Sequence, residues 1–191
     1  MRPPDGRAGA RQRDHLPDWE TKRRWGDEAF RRLERHGYHV GSAYTASKGE
    51  QSFLYRDALW HGADMLGVGV SSFGHLAGVH YQNEHSFEPY LSRIEAGELP
   101  VHRAYRMNDE ERMLREFVLQ MKLGRVDMRY FREKFGVDPL VRFAEPLAKH
   151  ERDGWLTLAP DEIRATRPGL MQIDVLLHDF FLPEHRDARY A

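Results

Sequence analysis

Cysteine is missing from all 191 residues, and its absence excludes disulfides and thiolate metal sites. Long apolar runs are missing too, so no segment reads as a bilayer-spanning helix. Met1 to His15 carries Arg2, Arg7, Arg11 and Arg13 around no apolar stretch, which excludes a secretory signal and leaves a cytoplasmic location as the expectation. Charge of one sign is not in surplus. The formal net charge is −1 and the pI about 6.8, so bulk charge draws the chain to neither phosphate backbones nor anionic lipid. At 40% hydrophobic and 31% charged residues the composition is that of a folded globular protein, long enough for one large or two small domains.

Glycine is placed tellingly. Gly67-Val68-Gly69-Val70-Ser71-Ser72-Phe73-Gly74 follows Ala63-Asp64-Met65-Leu66 and runs into His75-Leu76-Ala77-Gly78-Val79-His80-Tyr81-Gln82-Asn83. A strand that breaks into glycine lets backbone approach a ligand closely, and equally lets it pack tightly on a neighbour. Residues 64–70 are expected to form a buried strand of the parallel type, covered on both faces. Residues 1–16 read as a disordered tail. A helix is expected from Pro17-Asp18 to Gly37, with Trp25, Ala29, Phe30 and Leu33 inward. Tyr38 to Ala46 reads as a strand, Ser47 to Glu50 as a loop, and Phe53 to Trp60 as a short strand or irregular segment. A helix follows over 86–96.

From Pro100 the character of the sequence changes. Asn108 and Glu111 make a capping box ahead of a stripe of Leu114, Phe117, Val118 and Met121. Asp127 opens a second helix closed by Gly136, and Asp138-Pro139 opens a third. Trp155 to Ala165 alternates as a hairpin turning at Pro160-Asp161, and Thr166 to Leu182 is expected to be one last helix. Three helices and a hairpin suggest a winged-helix-like domain over 101–191, after an α/β unit over 17–100.

Several ordered segments carry a family likeness. Phe53-Leu54-Tyr55-Arg56-Asp57-Ala58-Leu59-Trp60, the glycine segment, His80-Tyr81-Gln82-Asn83, Gly97-Glu98-Leu99-Pro100, Arg115 to Gly124 and Tyr130 to Gly136 stand in order. Together they resemble the C-terminal half of the oxygen-independent coproporphyrinogen III oxidase-like family of radical S-adenosylmethionine enzymes, across roughly residues 17–183. The resemblance implies an α/β (α+β) fold: the terminal portion of a radical-SAM partial barrel, then the winged-helix-like domain as a lid. It implies S-adenosylmethionine (SAM) and a [4Fe–4S] cluster in the intact family, and a tetrapyrrole substrate or haem. By resemblance, Gly67, Gly69, Ser71 and Phe73 fall at the SAM-binding position, and Leu54 and Tyr55 face the cavity. His75, His80 and Gln82 are the further candidates for tetrapyrrole or haem, and Arg56 or Arg103 for propionates.

The family's cluster needs three cysteines, which this chain does not have. No catalytic residue and no metal ligand set is therefore assigned. His75, His80 and His85 are spaced by five, whereas helical ligand pairs stand three or four apart. The chain is expected to be a truncated member, inactive alone, or a subunit completed by a cysteine-bearing N-terminal half. The alternative is a non-catalytic haem- or tetrapyrrole-binding protein of the chaperone kind. An open barrel edge would favour self-association. Nucleic acid is excluded as a partner, because residues 109–191 hold 14 Lys and Arg against 16 Asp and Glu.

Overall fold

The computed structural model describes residues 16–49 and 53–185. The expected tail over 1–16 lies almost wholly outside the described residues, as do positions 50–52. Helix α1, Trp19–Arg35, starts where Asp18 accepts a hydrogen bond from the Thr21 amide. Strands β1 (Tyr38–Ser42) and β2 (Thr45–Lys48) form a hairpin where one strand was expected. Helix α2 is Leu54–Trp60, so the aromatic stretch is helical rather than extended. Strands β3 (Phe73–Leu76) and β4 (Val79–Asn83) form a second hairpin, and β5 (Val101–Arg106) pairs with β4. Ala77 and Gly78, both at positive φ, make the two-residue turn whose twist suits a hairpin. Helix α3, Phe87–Glu95, lies between β4 and β5.

The distal half follows its caps closely. In α4, Asp109–Met121, Asn108 accepts from the Glu111 amide while Glu111 accepts from the Asn108 amide. Strand β6 (Arg125–Asp127) leads into α5 (Met128–Phe135), which Gly136 closes in the left-handed conformation. The third helix is split at Phe143 into α6 (Pro139–Arg142) and α7 (Ala144–Arg152). Hairpin strands β7 (Leu156–Ala159) and β8 (Glu162–Ala165) join β6 in the order β6-β8-β7. The chain after Thr166 departs from the expected single helix. It forms α8 (Arg167–Leu170), α9 (Ile173–Leu177) and a 3-10 turn over His178–Phe180. Within α8, Gly169 packs on the chain entering the hairpin, since a Cβ there would stand 2.0 Å from the Trp155 carbonyl oxygen.

The class is mixed α/β, but every strand pair among the described residues is antiparallel. Residues 64–70 correct the expectation of a buried parallel strand. Only Met65 bridges, to His75, and Leu66 and Val68 are 71% and 78% exposed. A strand needs a neighbour on each edge and a layer on each face to read as it does in the sequence, and the described residues supply one edge.

The core lies to one side of the molecule. Met113, Phe117, Met121, Phe131, Leu147, Ile163 and Leu176 belong to one buried cluster running from Met113 to Phe180. Before Met113 no large apolar side chain among the described residues is buried. Of the face expected to bury α1, Trp25 and Ala29 are exposed, with only Phe30 and Leu33 half-buried. Phe87, Leu91 and Ile94 of α3 are likewise on the surface. Polar latches hold this proximal half to the distal core. Arg167 pairs with Asp27 at 2.7 Å and Glu34 at 2.9 Å, and the Tyr44 hydroxyl donates to Asp174 at 2.6 Å. Tyr130 and Lys134 both donate to the His61 carbonyl, and both bond to buried Glu116.

Candidate functional site at the glycine segment

The glycine segment is held by side chains of its own hairpin and of α3. The Gly67 amide donates to the Tyr81 hydroxyl at 2.9 Å, and the Gly69 amide to the Tyr90 hydroxyl at 3.2 Å. Asn83 is buried, and its amide nitrogen donates to the carbonyls of both Gly67 and Gly69, at 3.0 and 3.1 Å. These three polar groups replace the ladder that a neighbouring strand would supply, because backbone groups left dry and unpaired are costly. They use the amides of residues 67 and 69 and face the hairpin. The amides of Leu66, Val68 and Val70 have no partner among the described residues, and their side chains are exposed. The segment therefore presents one finished edge and one open edge.

Two glycines serve packing. A Cβ on Gly67 would stand 2.2 Å from the Phe73 carbonyl oxygen, and one on Gly74 would stand 2.1 Å from the Tyr81 ring. Neither leaves a gap for a ligand, so the tight-packing reading of these two residues holds. Gly69 differs: it has φ +99°, and the nearest atom to its missing Cβ is Ser72 Oγ at 3.6 Å. Ser71 takes φ 60°, donates from its amide to the Glu84 carbonyl at 2.8 Å, and turns the chain into β3. Phe73 is half-exposed and stacked on His80, ring centroids 5.6 Å apart. Of the four candidate SAM-binding residues, Gly69, Ser71 and Phe73 leave room for a partner and Gly67 does not. A [4Fe–4S] cluster does not fit this chain, because it has no thiolate to offer.

The other candidates separate in space. Leu54 and Tyr55 lie on α2, largely exposed, and the Tyr55 hydroxyl reaches Met65 Sδ at 2.8 Å. His75 and His80 are cross-strand partners with ring centroids 6.5 Å apart. His75 is only 5% exposed and its Nδ1 has no partner among the described residues, so it cannot reach the iron of a large planar ligand. His80 is exposed and can. Burial, then the Arg115 guanidinium, holds both imidazoles below their usual range, so both are neutral near pH 7. Gln82 accepts from Arg103 Nε at 2.8 Å, and Arg56 is tied to Thr45 and Asp57, so neither arginine is an idle propionate partner.

Sequence reasoning passed over Arg115. It lies on α4 beside both histidines, half-buried, and burial lowers its affinity for its proton. It forms no ion pair or hydrogen bond among the described residues. Half-buried guanidinium with no carboxylate in contact is suited to an anionic ligand. The signal for it, one arginine in an amphipathic helix, is indistinguishable from a solvated residue until the sheet is placed above it. A cleft among the described residues lies elsewhere. It has about 490 Å³, bounded by Arg56, Arg125, Arg129, Asp127 and Asp161 over buried Gln120. Its mixed charges mostly satisfy one another, as in the Arg129–Asp127 pair at 2.8 Å.

Residues 107–171 match the HemN C-terminal domain. The chain is similar to the oxygen-independent coproporphyrinogen III oxidase of Helicobacter pylori, 28% identical over 119 residues, covering 60% of this chain and 26% of that protein. The Pseudomonas aeruginosa enzyme is 27% identical over 139 residues, covering 69% of this chain and 30% of its own length. The fold matches coproporphyrinogen III oxidase (HemN) from Escherichia coli, a radical SAM enzyme, with a TM-score of 0.66 at 18% identity, covering 80% of this chain and 39% of that one. The chain thus resembles the C-terminal part of these proteins, and spans about a quarter to a third of the length of the curated relatives. Among the described residues no helix is long and apolar enough to cross a membrane.

Proposed function

We propose that these residues form the distal, lid-bearing part of a coproporphyrinogen III oxidase-like radical SAM enzyme acting on a tetrapyrrole. The cluster-binding cysteines would come from sequence outside these 191 residues, whether upstream or on a second chain. The open edge at Leu66, Val68 and Val70 carries this reading. A segment with unpaired amides, beside exposed Tyr55 and Phe73, is what a partial barrel leaves when its other strands are elsewhere. The SAM that the family uses would supply the radical chemistry. Gly69, Ser71 and Phe73 would border it, and Arg115 would hold a substrate carboxylate. By itself the chain is proposed to be inactive.

Co-expression with a cysteine-bearing barrel half from a relative tests this. A one-to-one complex is expected, with the amides of residues 66–70 newly protected from hydrogen exchange. Failure to form any complex, or reductive SAM cleavage by the isolated chain, would sink the proposal. The second reading, haem binding without catalysis, is favoured by exposed His80 stacked on Phe73. It requires a Soret band on adding haem that shifts in His80→Ala and not in His75→Ala.

A further inference from the structure

Glu84, His85 and His102 each bring a ligand atom to within 4.8 Å of the others. Backbone geometry gathers them. The β4–β5 register shifts between Gln82 and Asn83, and Asn83 opposes Val101. The Glu84 amide then donates to the Pro100 carbonyl at 2.8 Å, which sets Glu84 beside the start of β5 and His102. His85 follows directly, just before the residue that caps α3. The carboxylate is buried and divided between two partners. Its Oε1 faces Arg93 Nε at 3.0 Å, and its Oε2 faces His102 Nδ1 at 3.3 Å. The His85 ring stands edge-on to that of His102, centroids 5.0 Å apart.

A Glu84–His102 pair alone would need no second imidazole. We propose that Glu84, His85 and His102 bind a divalent transition metal of the zinc class, through Glu84 Oε2 and one ring nitrogen of each histidine. Two imidazoles and a carboxylate are a donor set used at zinc sites that keep one position open for water or an anion. Bonds of about 2.0–2.1 Å to a tetrahedral ion set neighbouring ligand atoms about 3.3 Å apart. Glu84 and His102 already have that spacing. Only His85 must close in, and its side chain is exposed. Arg93 orients the carboxylate from the far oxygen, the part that second partners play at metal sites. Metal binding would also fasten the glycine segment, because the Ser71 amide is bonded to the Glu84 carbonyl.

The proposal is independent of the reading above, and cobalt(II) is its probe. The full chain is expected to take up one equivalent of Co²⁺ with visible d–d absorption, displaced by Zn²⁺. That absorption is expected to be lost in His102→Ala and in His85→Ala and kept in His80→Ala. Zn²⁺ is expected to raise the melting temperature of the parent chain but not of His85→Ala, whose exposed position leaves the fold intact, as circular dichroism would check. No absorption in the parent chain, or equal absorption in both histidine variants, overturns the site.

Discussion

Gly74 has no Cβ because the Tyr81 ring occupies its place, 2.1 Å from where that atom would stand. Gly74→Ala must push Tyr81 aside and so release its hydroxyl from the Gly67 amide. The expected outcome is lost hydrogen-exchange protection at the Met65 and His75 amides, which bridge next to that contact. Tyr81→Phe keeps the ring and removes one hydrogen bond, so it should weaken the same amides by only about 1 kcal/mol. The presence of glycine here was legible in the sequence; its reason was not, since a packing glycine and a ligand-facing glycine are spelled alike. At the opposite end His150 is 1% exposed, packed between Trp155 and Phe180. Its Nε2 lies 3.3 Å from Asp179, outside hydrogen-bond geometry, and that carboxylate is bonded by Lys149 instead. Burial therefore prevails and lowers its proton affinity, as it does for His75 and His80. Histidines depressed in the folded state take up protons first in the unfolded one. Stability should be fully present above the ordinary imidazole value of about 6.5 and fall as pH drops through and below it. Melting temperatures followed from about pH 7.5 to about pH 5 should show that fall, and His150→Leu should flatten it.

Capping chemistry made α4 and α5 readable to the residue. Asn108, Glu111 and Gly136 satisfy groups that any helix leaves unpaired at its ends, so their meaning is local. Asn108→Ala should lower stability by about 1 kcal/mol, visible in chemical denaturation with an unchanged slope. Segment 64–70 was misread for the opposite reason. Its apolar run announces a central strand, but pairing is a property of neighbours, and among the described residues it has β3 and side chains on one edge alone. The stretch 53–60 failed differently: its aromatics suit a strand, yet α2 forms with Arg56 lying over Phe53 and Trp60, tertiary context overriding a weak preference. β6 was missed because three residues are too few to show a period.

At the scale of the molecule the asymmetry of burial decides what can fold alone. Phe117 is fully buried and meets Phe131, Phe143 and Phe180. Phe117→Ala should destabilise the chain by about 3–5 kcal/mol, enough to unfold a marginal domain at ordinary temperature, and a thermal melt would report it. A fragment of residues 107–182 should keep most of the cooperative transition of the whole chain, because the described residues of the proximal half add polar latches and no buried apolar cluster. If the fragment melts without cooperativity, those latches carry more than their partial exposure suggests. By itself the sequence determined the absence of thiolates, the balanced charge, the capped distal helices and the family likeness, since each is written in residue identity or in spacing along the chain. Only the tertiary structure decided that the glycine segment has one closed edge and one open one, that Arg115 faces two neutral histidines, and that Glu84, His85 and His102 converge. Those facts depend on which segments lie side by side, and hydrogen-bond pairing across a sheet is fixed by register, which no single stretch of sequence contains.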